Sequence, residues 1–429
     1  MALEHKEIKR KKRKKKQPSK DKAAPYNKVT QIKDYLRMYY EIRLNTLTYN
    51  IEARSFDSTE FKILDDFMFN DIYIDLIEKG YKCSPPMLER VLKSSYSKPY
   101  NPIKEYFDEL PPYDGYDYIK DLAATVTIDN LSSEDIELKD LWLPYLKKWL
   151  VASVATILGR GNNHSCLILV GAQGKGKTTW LNKLCPFVLK DYLVCSHINP
   201  TLTDQNTNNY LAEKWFVNID DQLETIFGKD FNSMKAIITT PQVTNRKVYA
   251  RITKTRPRIC SFMGSVNNPK FLSDTENRRY LVFSVKDLNY QHEVDMDKVW
   301  AQAAHLLKEK AYPYWFSSKE IDTLNKVNEI YRQHTLEEEW LSKLYMPCTA
   351  NDPKAHFIMA SEMLSQMNAH SGLRLSIKKL SQAMDKQGFG TAINKRIKNV
   401  GPRKVFPVKF LTDQHEQNLQ KELKDTYKT

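Results

Sequence analysis

Glycine is scarce in this chain, 13 residues in 429, less than half the usual share. A glycine-rich linker is thereby excluded, and any local cluster of glycines needs a reason. Cysteine is sparse too: Cys83, Cys166, Cys185, Cys195, Cys260 and Cys348 are scattered, with no C-x-x-C pair. That usage excludes a disulfide-stapled secreted domain and fits a reducing cytoplasm. Cys195-Ser196-His197 places two metal-ligand types side by side, but no second cluster accompanies it, and two packed side chains are the simpler reading. No apolar stretch approaches the 18 residues of a membrane span. The basic N-terminus lacks the apolar segment of a secretory signal, and no internal repeat is evident.

What is present sets the rest. A hydrophobic content of 41% over 429 residues suits two or three domains with proper cores. The net charge is +14, and the first 22 residues hold eleven Lys and Arg against three acids. Lys9 to Lys16 is an unbroken cationic run whose like charges repel, so residues 1–25 are expected to be a disordered basic tail. Such a tail either binds phosphate backbones without sequence preference or simply keeps the chain solvated. Residues 26–135 are expected to form a mainly helical N-terminal region. Within it, Tyr40–Leu44 and Thr46–Ile51 read as a hairpin, and 61–97 as helix with Phe61, Ile63, Leu64, Phe67 and Met68 on one buried face. A Tyr- and Pro-rich connector, 101–117, follows.

Three of the thirteen glycines fall within six residues. Gly171-Ala172-Gln173-Gly174-Lys175-Gly176-Lys177-Thr178 is a complete G-x-x-x-x-G-K-[ST] loop, preceded by the apolar run Cys166–Val170 and followed by a helical stretch that starts with Thr179. The chemistry requires this strand–loop–helix context: glycines let backbone N–H groups wrap phosphates, Lys177 reaches the β- and γ-phosphates, and the Thr178 hydroxyl holds Mg²⁺. Gly171, Gly174, Gly176, Lys177, Thr178 and Thr179 are therefore the expected ATP contacts, with ATP and Mg²⁺ as cofactors. Residues 136–345 are expected to be an α/β ATPase core. Its flanking helix runs over Leu141–Leu158 with Trp142, Leu146 and Trp149 inward, and its strands are Cys166–Val170, Trp215–Ile219, Ile259–Gly264 and Tyr280–Val285. Ser317 to Glu320 reads as a capping box.

The strand Trp215–Ile219 ends in Asp220-Asp221. ATP hydrolysis needs one carboxylate for Mg²⁺ and a second to orient and deprotonate the attacking water. Asp220 suits the metal role, shared with Thr178, and Asp221 the base. Asn267, after the next strand, is placed to hold the attacking water or the γ-phosphate. Arg278 and Arg279 can stabilise charge on the transferred phosphoryl group, often from a neighbouring subunit. Between the acids and Asn267, residues 242–258 are rich in Arg and Lys without one acid, and alternate as a hairpin does. Arg246, Lys247, Arg251 and Lys254 are its expected DNA contacts.

Taken together, these residues resemble the virulence-associated protein E family, superfamily 3-type helicases of phages, plasmids and integrated elements. The resemblance covers roughly residues 100–320. It rests on Asn101 to Phe107 with Asp114-Gly115, on Leu169 to Thr178, Met234 to Thr239, Arg256-Pro257-Arg258, and Phe271 to Arg279. It implies an AAA+-like fold, rings that are probable hexamers in the family, and Mg-ATP-driven translocation on DNA. Relatives often carry Glu where Asp221 stands, and larger ones carry a primase domain that is not recognisable here, so priming would fall to a separate primase or to host replication proteins. Residues 355–411 resemble the small winged-helix appendages of Bacteroides-type members. There Ser361 and Ser376 are expected to cap helices, and Lys395–Leu411 to form a two-stranded wing. Ile377, Leu380, Ala383 and Met384 are expected inside and Lys378, Lys379 and Lys386 outside; residues 412–429 form a polar tail. A DNA-bound ATP switch that loads or regulates a helicase without unwinding, and a small-molecule kinase, use the same loop; the basic hairpin and tail favour the helicase.

Overall fold

The computed structural model describes residues 27–411 apart from 134–135, 227–228, 246–253, 274–276 and 398–400. The two expected tails lie outside the described residues. Among those described, no helix is long and apolar enough to cross a membrane. The chain divides into two compact units, one ending at Leu110 and one beginning at Pro111.

In the first unit, α1 (Lys28–Tyr39) starts where the Asn27 side chain accepts the Val29 amide, and runs straight into β1 (Tyr40–Asn45). β2 (Ile51–Ser55) returns antiparallel with Leu44 opposite Ile51. The hairpin is present, but its turn spans 46–50, because Asn45 Oδ1 accepts the amides of Leu47 and Thr48 and closes a side-chain turn there. β3 (Lys62–Ile63), α2 (Asp66–Glu78), α3 (Pro85–Leu92), β4 (Lys98–Tyr100) and α4 (Pro102–Glu109) follow, with strands ordered β3-β2-β1-β4. Ile32, Tyr35, Leu36, Ile72, Leu76 and Leu88 form the core beneath Ile42 and Ala53. The helix expected from 61 begins only at Asp66, since Asp65 caps the Met68 amide. Its expected inner face forms only in part: Leu64 and Met68 pack against the core, but Phe67 is 77% exposed and Ile63 58%. Phe61 instead lies 3.6 Å from the Arg43 guanidinium, a cation–π contact.

The second unit is a mixed α/β body. Its elements are α5 (Tyr118–Ala124), β5 (Val126–Ile128), the short pair β6 (Ser132–Ser133) and β7 (Ile136–Glu137), and α6 (Leu138–Ile157). Then come β8 (Cys166–Val170), α7 (Lys177–Lys183), β9 (Leu193–Cys195), α8 (Gln205–Glu213), β10 (Phe216–Asn218), α9 (Gln222–Thr225) and α10 (Lys229–Thr239). The hairpin β11 (Gln242–Asn245) and β12 (Lys254–Pro257) leads to β13 (Ser261–Val266), β14 (Tyr280–Leu288), α11 (Met296–Lys308) and α12 (Ser318–Asn328). The main sheet has the order β5-β14-β8-β13-β10-β9 and is parallel except where β5 meets β14. Strands covered on both faces must be apolar throughout, and every residue of β8, β10 and β13 is buried. β5 is a strand of this sheet, so the N-terminal region ends before 111 and not at 135. β-pairing, which a three-residue strand cannot announce in sequence, decides the boundary.

Trp142, Leu146 and Trp149 face inward from α6 as expected; Trp149 stacks on Phe216 at 5.9 Å, and Trp142 Nε1 donates to the Ala123 carbonyl at 2.9 Å. The capping box at Ser317 is present. Arg258 is the unexpected core residue. It is 1% exposed, and its guanidinium donates to the carbonyls of Thr240, Cys260 and Asn163 at 2.7, 2.6 and 2.9 Å. Arg258→Met keeps the bulk but strands three carbonyls at about 1 kcal/mol or more each. A destabilisation of roughly 3 kcal/mol is expected, read as a lower denaturant midpoint.

The last part of the unit holds α13 (Leu336–Leu344), β15 (Tyr345–Pro347), β16 (His356–Ile358), α14 (Ala360–Ser371), α15 (Ile377–Lys386), β17 (Ile393–Ile397) and β18 (Gly401–Phe410). β18 pairs antiparallel with β15, β16 and β17, and the β17–β18 hairpin occupies the expected place. Leu341, Tyr345, Met363, Met367, Leu380 and Met384 share one core, so this cluster starts at α13 rather than at 355. Ser376 stands at the N-cap of α15 without a side-chain cap bond. Ser361 lies inside α14, where Glu362 accepts the Met359 amide instead. Leu380, Ala383 and Met384 are buried, but Ile377, in the first turn, is 46% exposed. Lys378 and Lys379 face outward, whereas Lys386 turns back to donate to Glu338 at 3.0 Å.

Candidate functional site

β8, β13 and β10 are parallel neighbours, so their carboxyl ends open on one edge of the sheet, where α/β folds place ligands. The loop from Gly171 to Gly176 joins β8 to α7 at that edge. Gly174 and Gly176 adopt φ of +80° and +84°, a region open to glycine at no steric cost. A side chain at Gly176 would also run into the ring of Tyr290, and at Gly171 it would lie 3.0 Å from the Val285 carbonyl.

Lys177 is 5% exposed, and its ammonium donates to the carbonyls of Gly171 (2.7 Å) and Ala172 (2.9 Å) and to Asn267 Oδ1 (3.0 Å). None of these acceptors is charged. Burial lowers the Lys177 pKa, against the raising effect of Asp221, Asp220 and Glu224. Thr178 Oγ1 donates to Asp220 Oδ2 at 2.8 Å and lies 3.2 Å from Ser265 Oγ; Ser265 donates to the other Asp220 oxygen. Thr179 follows, exposed, on the first turn of α7.

Asp221 takes the left-handed conformation, φ +52°, with its amide donating to the Ser265 carbonyl at 2.9 Å. That turn carries its carboxylate toward Asn267, whose Nδ2 donates to Asp221 Oδ1 at 3.0 Å. Asn267 thus bridges Lys177 and Asp221. Glu224, on α9, accepts the amides of Asn267 and Asn268. Burial, then Asp220 and Glu224, raise the Asp221 pKa above its ordinary value. The geometry therefore gathers a cation, a hydroxyl, two acids and an amide from separate segments around one loop.

Arg278 and Arg279 are not brought there. The Arg279 carbonyl accepts the Cys166 amide at 2.7 Å, at the start of β8, whereas the loop leaves its end, about 13 Å along the strand. With His164, Tyr314, Trp315 and Phe316 they line a cavity of about 570 Å³. Within this chain they stand apart from the residues gathered around the loop. Arg246, Lys247 and Arg251 lie outside the described residues, and Lys254 opens β12 opposite Asn245. Arg256, from the same basic run, is 6% exposed and bonded to Glu213 and Asn209 at 2.8 and 3.0 Å, so with Arg258 it serves the fold.

Sequence reasoning missed Ser265 and Glu224. Ser265 was detectable, since it stands near the carboxyl end of the strand that leads to Asn267. Glu224 reaches the site only because Asp221 turns the chain, and no sequence signal announces that.

The virulence-associated protein E-like domain matches residues 109–333, 225 of the 429 residues. No curated protein matches the chain. Two solved apo structures of the NrS-1 C-terminal region, one of residues 305–718 and one in its A form, share 12% and 13% identity with it. Each alignment covers 89% of this chain and 99% of the other, with TM-scores of 0.47 and 0.49, too low to assign the fold. The family match spans more than half the chain and takes in the loop, both acids, Asn267 and the arginine pair: the chain belongs to the virulence-associated protein E-like domain family.

Proposed function

We propose that the chain is a Mg-ATP-hydrolysing DNA helicase of a mobile genetic element, with an AAA+-like P-loop core of the superfamily 3 type that works as a ring oligomer. The observation that carries this reading is the hydrogen-bonded convergence of Lys177, Thr178, Asp220, Asp221 and Asn267 at the carboxyl edge of the sheet. The residues fit a nucleoside triphosphate. Lys177 is a buried ammonium held only by neutral acceptors, and Gly174, with nothing within 4 Å of a Cβ built on it, leaves that side of the loop open. Thr178 and Asp220 are hard oxygen donors of the kind Mg²⁺ takes alongside phosphates. When bound, Mg²⁺ neutralises charge on the β- and γ-phosphates.

In this reading Lys177 holds the phosphates, Ser265 orients Asp220, and Asp221 accepts the proton of the attacking water while Asn267 aligns it. Arg278 and Arg279, at the far end of β8, would meet the ATP of a neighbouring copy, so assembly, expected as a hexamer, becomes part of the mechanism. The β11–β12 hairpin with Arg246, Lys247, Arg251 and Lys254 would track the DNA backbone, and the winged-helix-like C-terminal cluster adds the exposed Lys378 and Lys379.

Strand separation of a forked duplex, measured beside ATP hydrolysis with and without single-stranded DNA, tests this. DNA-stimulated hydrolysis with unwinding is expected. Stimulation without strand separation would favour a loader or regulatory switch, and hydrolysis indifferent to DNA would sink the motor.

A further inference from the structure

Beside the phosphate loop stands an aromatic ring that the hydrolytic reading does not use. Tyr290 lies in the segment between β14 and α11, seated against Gly176, with 40% of its surface exposed. That segment is fastened to the loop and its helix. Just before it, Lys175 Nζ donates to the Lys286 carbonyl of β14 at 2.6 Å; within it, Lys183 Nζ donates to the His292 carbonyl and the Asn289 amide donates to the Thr125 carbonyl at 2.8 Å. Further down, Trp180 Nε1 on α7 donates to Thr125 Oγ1 at 2.8 Å, closing the circuit between α7, α5 and this segment. A half-exposed phenol on a wall pinned at three points pays little entropy to meet a ligand. Gly176 is also the one loop glycine whose missing side chain makes room for another side chain.

We infer that Tyr290 is the stacking platform for the base of the nucleotide whose phosphates the loop holds, and that it sets a preference for purines. The inference rests on the proposed ATP site and deepens it. Phosphate contacts made by loop amides and Lys177 are the same for every nucleoside triphosphate, so base preference must come from a group outside the loop. Aromatic rings supply it through their π-face, and a purine offers more face than a pyrimidine. Among the described residues, Tyr290 is an aromatic ring seated directly on the loop, against Gly176.

The test compares binding of ATP, CTP and inorganic tripolyphosphate by calorimetry to the full chain and to Tyr290→Ala, Tyr290→Phe and Lys177→Ala. Tyr290→Ala is expected to weaken ATP by about tenfold, to weaken CTP less, and to leave tripolyphosphate unchanged. Tyr290→Phe is expected to bind ATP as the native chain does. Unchanged ATP affinity in Tyr290→Ala overturns the stacking role. So does a parallel loss of ATP and tripolyphosphate, which would mean that the ring props up the loop. The underlying site fails differently: the native chain would then bind neither ATP nor tripolyphosphate, and Lys177→Ala would change nothing.

Discussion

Lys177→Ala is expected to lower ATP turnover by about 10²–10³-fold, with little change in the thermal midpoint. The asymmetry follows from where the ammonium sits. It is nearly buried, and burial pushes its pKa down, so in the free chain it is a desolvated charge held by two loop carbonyls and an amide oxygen. Such a charge adds little to folding, and its removal leaves carbonyls that the open loop lets water reach. In the proposed complex the same charge would lie against the group on which negative charge moves, preorganised where that charge develops. A loss of 10³-fold corresponds to about 4 kcal/mol of transition-state stabilisation. Steady-state phosphate release together with a melting curve checks both halves. Full activity in the variant would remove the ATP site itself.

Asp221→Asn is expected to cost about 10²–10⁴-fold in kcat while ATP still binds within a fewfold of native affinity. Asparagine tolerates the left-handed conformation that Asp221 adopts, and keeps an oxygen for the Asn267 Nδ2 bond, so the fold and the loop stay in place. What disappears is the carboxylate that takes a proton from water. The direction of the pH dependence follows. Because burial and the neighbouring Asp220 and Glu224 raise the Asp221 pKa, the base is lost to protonation at a higher pH than an ordinary carboxylate. The native kcat/KM, which reports the unliganded site, therefore declines on the acid side starting above the usual carboxylate range, and the residual rate of the Asn variant lacks that limb. Single-turnover hydrolysis across pH resolves it. A variant with native kcat would assign the base elsewhere, Glu224 being another acid bonded into the cluster.

The comparison of chain and fold separates along a physical line. Where function depends on local backbone form, the residues announce it. The loop needs Gly174 and Gly176 in left-handed conformations and Lys177 directly after them, and all of this is contiguous. β8 has the same bounds in both readings because a strand buried on both faces must be an unbroken apolar run. The Ser317 capping box, likewise, is four residues wide.

What depended on pairing across the sheet was not legible. The membership of β5 in the main sheet moves the domain boundary, and the pairing of β15 with β18 moves the start of the C-terminal cluster; both are made by strands of three residues, too short to show a period. The separation of Arg278 and Arg279 from the loop depends on which end of β8 the chain re-enters, a fact of topology. Arg256 and Arg258 belong to a run of charges in the sequence, yet they satisfy carbonyls and a carboxylate in the interior. The phosphate loop, the acid pair and the family were legible from the residues alone, because these are short-range patterns of residue type. Which cations face the loop and which the core, and that Ser265, Glu224 and Tyr290 stand beside the loop, depended on strand order, which brings together residues that lie far apart along the chain.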